Sequence, residues 1–159
     1  MLKLTRKTEY ALLSLRWLSR AEVPRSSVRE ISEHYRIPTT LLAKVLQRLK
    51  GGGLVTSVKG SAGGYSLGRP LSGVLLTDVL GLFDEQIQLV ECLIDEEHCG
   101  CEQLFHCDIR QPMESLNRLL MAQLSGLTLD AFFDTHPDVI DDRTLSIGRA
   151  QPMRQARST

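Results

Sequence analysis

Four cysteines lie within sixteen residues of one another and are the only cysteines in the chain: Cys92, Cys99, Cys101 and Cys107. Thiolates are the usual protein ligands of iron-sulfur clusters and also bind zinc, so a group of this size predicts a metal site. Structural zinc sites usually hold two close pairs of ligands, with two to four residues between the members of a pair. The gaps here are six, one and five residues, which fit that zinc pattern poorly.

The sequence predicts a cytoplasmic protein with no membrane partner. It has neither a signal-peptide pattern nor an apolar run long enough to cross a bilayer, since Arg16 and Arg20 interrupt the first hydrophobic stretch. Cytoplasmic thiols are kept reduced, so clustered cysteines there bind metal or sense redox state more often than they form structural disulfides. A thiol redox enzyme would need a reactive pair such as C-x-x-C, whereas this chain has only C-x-C in an acidic loop. We therefore predict no enzymatic activity.

The elements that must position these thiols are mainly helical. A chain of 159 residues with 42% hydrophobic residues can bury one sizeable core, or a small domain plus an oligomerisation element. A stripe of apolar side chains over residues 4–20 predicts an amphipathic core helix. A later set of apolar residues recurs at steps of four, three, four and four and predicts one face of a long helix: Ile109, Met113, Leu116, Leu120 and Leu124. We expect this long helix to pair with its twin across a two-fold axis.

Between these two helices, the sequence predicts a helix-turn-helix. Ser27 and Glu30 have the spacing of a capping box that begins a short helix. Pro38 follows the end of that helix, Thr39 is predicted to cap the next one, and the glycines at 51–53 stop it. Two helices joined by a tight turn in this way form the motif with which many proteins enter the major groove of DNA.

A β-hairpin is predicted directly after this motif. Residues 54–58 and 65–67 have the character of two short strands, and residues 59–64 form a glycine-rich turn between them. A glycine-rich turn lets the backbone approach a phosphate or the minor groove closely. The hairpin is therefore interpreted as the wing of a winged helix-turn-helix, with Lys59 at its tip.

The charge distribution supports a nucleic-acid partner for the first half of the chain. Residues 1–70 contain 13 Lys and Arg against 4 Asp and Glu, whereas residues 71–159 contain 6 against 15. The first half would attract a phosphate backbone and the second half would repel it. The predicted DNA contacts are Thr39, Thr40, Lys44 and Arg48 on the second helix of the motif, and Lys59 and Ser61 in the wing.

Four segments of the sequence resemble the Rrf (Rrf-two) family of bacterial transcription regulators: LTRKTEYA at 4–11, LAKVLQRL at 42–49, GLVTSVKG at 53–60 and GGYSLGRP at 63–70. The resemblance extends from about residue 2 to about residue 133. It implies a homodimer that acts as a repressor, with two winged heads on a palindromic operator in double-stranded DNA. It also implies an iron-sulfur cluster, either 2Fe-2S or 4Fe-4S, that senses nitric oxide, redox state, iron or cluster supply.

The resemblance also implies a set of cluster ligands. The family has a first cysteine followed at variable distance by a C-x5-C pair, and Cys92, Cys101 and Cys107 meet this pattern. Cys99 is then an extra thiol, which is a ligand in an alternative state, a redox partner or an incidental residue.

The fourth ligand differs among family members. The cluster regulators place a histidine three residues after the last cysteine, but that position here is Arg110. In the nitric-oxide sensors, an aspartate in the first helix of the partner subunit completes the site. Glu9 occupies the matching position and is either a ligand or a plain surface residue of the helix.

Together these observations predict a mainly α-helical fold with a small β-hairpin wing. The expected divisions are a winged helix-turn-helix domain at 1–80, a connecting helix and cysteine loop at 81–107, a dimerisation helix and short terminal helix at 108–136, and a disordered tail at 137–159. The predicted function is a transcription regulator controlled by an iron-sulfur cluster. The alternative is a winged-helix regulator in which the cysteines bind structural zinc or form a thiol/disulfide switch.

Overall fold

A computed structural model describes residues 4–20, 25–60, 63–85, 87–95 and 97–134. Within these ranges there are six α-helices and one hairpin, together with short 3-10 turns: α1 Arg6–Leu18, α2 Val28–Tyr35, α3 Thr39–Gly51, β1 Val55–Val58, β2 Gly64–Leu67, α4 Leu76–Leu82, α5 Arg110–Ser125 and α6 Leu129–Asp134. The predicted fold class, mainly α-helical with a β-hairpin wing, is confirmed. Ser61 and the predicted disordered tail at 137–159 lie outside the described residues.

The helix-turn-helix is formed by α2 and α3, and its first cap is the predicted one. The Ser27 backbone N–H donates to Glu30 Oε2 at 2.6 Å, and the Glu30 N–H donates to Ser27 Oγ at 3.2 Å. These two bonds satisfy amides that would otherwise be left unpaired at the start of α2. At the other end of α2, Arg36 adopts a left-handed conformation with φ 53° and so turns the chain toward α3.

The prediction that Thr39 caps α3 is wrong. Pro38 is the N-cap, without a side-chain cap bond, and Thr39 is already the first helical residue. Its hydroxyl instead lies 2.8 Å from Ser32 Oγ, and Ser32 Oγ donates to the Ile37 carbonyl at 2.6 Å. Because Ser32 has only one hydroxyl proton, Thr39 is the donor to Ser32. The hydroxyl therefore fastens α3 to the end of α2 rather than capping its own helix.

The wing is an antiparallel pair in which Val55 faces Leu67 and Val58 faces Gly64. A single bridge between Ser26 and Tyr65 joins the hairpin to the chain before α2. Only the base of the wing is buried, since Val55 is 1% exposed and Val58 is 47% exposed. The tip therefore projects from the head of the molecule.

The core lies between α1, α2, α3 and α4, and it also takes a residue from the far end of the described chain. The leucines at 15, 42, 46, 49 and 54 are fully or almost fully buried there. Leu129, at the start of α6, is completely buried with them. Its N–H donates to the Val74 carbonyl at 2.8 Å, and the Leu76 N–H donates to the Leu127 carbonyl at 2.8 Å. The segment after α5 thus packs back onto the winged domain, which the predicted divisions did not include.

Candidate cysteine site and DNA-binding surface

The four cysteines line one cavity of about 300 Å³ in the loop between α4 and α5. We call residues 87–107 the cysteine loop. Cys101 is exposed, and the other three cysteines are partly buried. The remaining lining residues come from the loop and from the start of α5: Val90, Glu91, Ile109, Arg110 and Met113. The fold therefore gathers thiols that are up to fifteen residues apart in sequence.

The four cysteines form no disulfide. Among the described residues, no three His, Cys, Asp or Glu side chains are grouped tightly enough to hold a single metal ion. A tetrahedral zinc ion with Zn–S bonds of about 2.3 Å requires its thiolates to lie about 3.8 Å from one another. In a 4Fe-4S cluster each iron takes one thiolate, and in a 2Fe-2S cluster each iron takes two. Four thiolates complete either type, so the residues that line the cavity fit a cluster.

The surroundings of the cavity are acidic, and Arg110 is a cation at its edge. Glu91 lines the cavity, while Glu97 and Glu102 line an adjacent depression that also contains Cys99 and Cys101. Arg110 lines the thiol cavity and a second one beside Cys92. A guanidinium cannot ligate a metal, but its charge offsets that of thiolates and carboxylates.

The cysteine loop is tied to α5 by a buried amide. Asn117 is 7% exposed, and its Oδ1 accepts the Leu89 backbone N–H at 3.2 Å. Asparagine is seldom so buried without such a partner. Asn117 was not among the predicted site residues, because a lone asparagine on a helix carries no signal of its partner.

Two further side chains of a type that ligates iron, Glu9 and His98, lie apart from this arrangement. Glu9 lines a groove between α1 and α6, and its carboxylate pairs with Arg6 at 2.9 Å. His98 Nδ1 lies 3.0 Å from Asp95 Oδ2. In the structure of one chain, neither side chain lines the thiol cavity.

Residues 83–85 follow α4 and connect the cysteine loop to the head; we call them the junction. Arg48 of α3 donates to the Leu82 carbonyl and pairs with Asp84 at 2.5 Å, and its guanidinium carbon lies 5.6 Å from the centre of the Phe83 ring. Asp84 itself has φ 55°, a left-handed conformation that is uncommon outside glycine. Arg48, predicted to contact DNA, is thus already engaged at this junction.

Glu85 provides the second connection of the junction. Its Oε1 accepts the Thr5 N–H at 2.8 Å, the Thr5 hydroxyl at 2.5 Å and the Thr8 hydroxyl. Partial burial favours the protonated acid, but these hydrogen bonds outweigh that effect and lower the pKa of Glu85. A carboxylate eighty residues away in sequence therefore stabilises the start of α1, where the helix dipole also favours negative charge.

Four of the predicted DNA-binding side chains are exposed on α3 and the wing: Thr39, Thr40, Lys44 and Lys59. Thr40 and Lys44 share the face opposite the buried leucines with Gln47, which follows Lys44 by three residues. Thr39 lies at the flank of this face, at the start of the helix. Lys59 is exposed at the wing tip.

One face of α5 is apolar and has little cover within the described part of the chain. Asn117 is the only residue of this helix that is buried there. Leu116 and Leu119 are 48% and 63% exposed, and Ile109 just before the helix is 65% exposed. Of the predicted face, Met113, Leu120 and Leu124 are partly covered.

Comparison with known proteins agrees with this architecture. Residues 4–135 match the model of the Rrf2 family, described as an iron-dependent transcriptional regulator. The chain is 27% identical over 157 residues to protein aau3 of Rhizobium meliloti strain 1021, covering 99% of both chains. It is 29% identical over 129 residues to the transcriptional regulator IscR of Klebsiella pneumoniae strain 342, covering 80% of this chain and 77% of that one.

A solved structure has the same fold. CymR, described as the global cysteine regulator of B. subtilis, superposes with a TM-score of 0.63 and 25% identity, over 83% of this chain and 96% of CymR. The winged helix-turn-helix and the family match define a DNA-binding transcription regulator rather than an enzyme. The chain belongs to the Rrf2 family. No described helix is both long and apolar enough to span a membrane.

Proposed function

We propose that the protein is a homodimeric repressor whose binding to a palindromic operator is controlled by an iron-sulfur cluster in the cysteine loop. The observation that carries this proposal is the cavity lined by all four cysteines, in the loop that joins the DNA-binding head to α5 along the chain. The family description as iron-dependent and the similarity to IscR support the same function.

The chemistry of the cavity suits such a cluster. When bound, a cluster supplies iron that reacts with nitric oxide or oxygen and changes its redox state. Cys92, Cys101 and Cys107 would hold it, each releasing its thiol proton on binding. The 2Fe-2S and 4Fe-4S forms both suit thiolate ligands, and the sensed signal is nitric oxide, redox state, iron or cluster supply.

DNA binding is assigned to α3 and the wing. With α3 in the major groove, Thr40 and Lys44 would reach phosphates or base edges, and Thr39 would lie at the helix start. Lys59, together with Ser61, would contact the backbone or minor groove beside it. The acidic second half of the chain would keep the cysteine loop away from the phosphates.

Dimerisation is assigned to the exposed apolar face of α5. Leu116 and Leu119 are costly to leave in water and would be covered by the same face of a second copy. A two-fold axis there would present two α3 helices to successive major grooves, about 34 Å apart.

The junction is the connection through which a conformational change in the cysteine loop would alter DNA binding. Asp84 binds α3 through Arg48, and Glu85 binds the start of α1 through Thr5 and Thr8. A change in loop conformation on cluster loss would move these carboxylates and, with them, the helices that set the spacing of the two heads.

The second candidate is a winged-helix regulator in which the thiols bind zinc or switch between thiol and disulfide. The four neighbouring thiols favour it. It shares the DNA-binding surface with the first candidate and differs in metal content and in its response to a disulfide reductant.

The test measures operator binding and cluster content in the same variants. Cys92→Ala should abolish the cluster while the dimer still folds, and should change operator affinity to that of the cluster-free wild type. Lys59→Ala should keep the cluster and weaken operator binding, lowering the slope of log K against log salt by about one per head. Lys7→Ala removes an exposed lysine of α1 and serves as the control. A fully loaded Cys92→Ala protein, or unchanged operator affinity for Lys59→Ala, contradicts the respective assignment.

A further inference from the structure

We infer that Cys99 is the fourth protein ligand of the cluster, so that one chain supplies a complete set of four thiolates. The inference rests on the proposed cluster-binding function and deepens it. It assigns a role to the thiol that lies outside the family's three-cysteine pattern, and it removes the need for a ligand from the partner subunit.

The position of Cys99 is the main support. It lines the same cavity as Cys92, Cys101 and Cys107 and is partly buried, as Cys92 and Cys107 are. Cys99 therefore shares one cavity with all three cysteines of the family pattern. Thiolate is also the ligand that iron-sulfur clusters take most often, and four of them form the commonest set.

The backbone between Cys99 and Cys101 is turned so that both side chains reach this cavity. Gly100 has φ +57°, a left-handed conformation in which an L side chain is strained. Both neighbouring cysteines line the thiol cavity, and both also line the adjacent depression. A C-G-C segment thus acts as a short two-thiol unit of the site.

The other candidates for the fourth ligand are placed less well. The position of the family's histidine ligand is occupied by Arg110, which lines the cavity but cannot ligate iron. Within one chain, Glu9 lies in the groove beside Leu12, Leu13 and Phe133, away from the thiol cavity, and is paired with Arg6.

A site of four thiolates should give the cluster a lower reduction potential than a site of three thiolates and one histidine. Four thiolates carry one more negative charge than three thiolates and a neutral histidine, so reduction of the cluster becomes harder. Arg110 at the cavity edge offsets part of this charge. We therefore expect Arg110→Gln to lower the reduction potential without loss of cluster from the oxidised protein.

The test compares wild type, Cys99→Ser, Cys99→Ala and Glu9→Gln, all loaded with iron and sulfide without oxygen. Iron-edge X-ray absorption should find only sulfur as the protein ligand of iron in the wild type and in Glu9→Gln. In Cys99→Ser an oxygen neighbour should appear, and Cys99→Ala should lose its cluster to a chelator at least tenfold faster than wild type. Circular dichroism shows whether each variant is folded, and Cys92→Ala is the control for complete cluster loss.

The possible outcomes distinguish failure of the Cys99 assignment from failure of the cluster proposal on which it rests. A Cys99→Ala protein with wild-type spectrum and chelation rate, or an oxygen or nitrogen ligand in the wild type, overturns the role of Cys99 alone. A wild-type protein that binds no cluster under these conditions overturns the cluster proposal, and the role of Cys99 with it.

Discussion

The Glu85 carboxylate joins the junction, just before the cysteine loop, to the first helix of the head. It accepts three hydrogen bonds from Thr5 and Thr8, which favour its charged form and lower its pKa. A group whose pKa is lower in the folded protein stabilises the fold above its unfolded pKa, about 4.3, and loses this contribution as pH falls through the folded pKa.

We therefore predict that Glu85→Gln destabilises the protein by about 1–2 kcal/mol at pH 7, since hydrogen bonds to a charged acceptor are lost at a helix start. The difference from wild type should shrink as pH falls below about 4.3 and disappear below the lowered folded pKa, where both side chains are neutral. Urea unfolding between about pH 3 and 7 measures it across the range in which Glu85 titrates. Glu102→Gln, which removes the same charge at an exposed loop position, should show little effect; an equal loss in both variants would contradict the role of Glu85.

At the scale of elements, the wing depends on close approach of backbone at its base. A Cβ added at Gly68 would lie 2.5 Å from the Gly53 carbonyl oxygen, whereas one added at Gly81 in α4 would meet nothing within 4 Å. These two glycines form a matched pair, because the same methyl group is added to a crowded turn and to an open helix.

Gly68→Ala should destabilise the protein by about 1–3 kcal/mol, since backbone must move to relieve the contact. Gly81→Ala should stabilise it by about 0.5–1 kcal/mol, because alanine favours a helix more than glycine does. Thermal unfolding of the two variants checks both signs. An unchanged stability of Gly68→Ala would mean that the backbone at the base of the wing can shift at little cost.

Several elements of the fold could be predicted from local sequence patterns. The capping box of Ser27 and Glu30 and the leucine face of α3 are local patterns, and the structure contains both. The wing followed from its glycines and short strands. These features depend on residues only a few positions apart, so their signals lie within one segment of sequence.

What the sequence did not predict depends on distant partners. Thr39 has a side chain that commonly caps helices, but its hydroxyl forms a hydrogen bond with Ser32 instead. Leu129 gives no sign that it belongs to a core made by α1 to α4. For the site, spacing grouped the thiols, but only the fold shows that Cys99 lines the thiol cavity of its own chain and that Glu9 does not.

At the scale of the whole molecule, a basic head and an acidic second half meet at the junction. The apolar face of α5 lies in the second half and is where we place the dimer contact. Leu119→Glu puts a charge on the exposed part of that face, one turn from Leu116, twice per dimer because of the symmetry.

We predict that Leu119→Glu raises the dimer Kd at least about 100-fold, roughly 3 kcal/mol, while the head stays folded. Sedimentation equilibrium measures the change. Arg118→Glu places the same glutamate one residue away, about 100° around the helix, and should remain dimeric. A dimeric Leu119→Glu protein would exclude this face as the interface.

The cysteine cavity is proposed to hold an iron-sulfur cluster, and control of DNA binding depends on that cluster. Its most direct test is the content of iron, zinc and acid-labile sulfide per chain, with the absorption spectrum, in protein purified without oxygen. We predict iron with matching sulfide and a visible charge-transfer band, lost together in Cys92→Ala. Stoichiometric zinc, or thiols without metal after anaerobic loading, would contradict the cluster proposal.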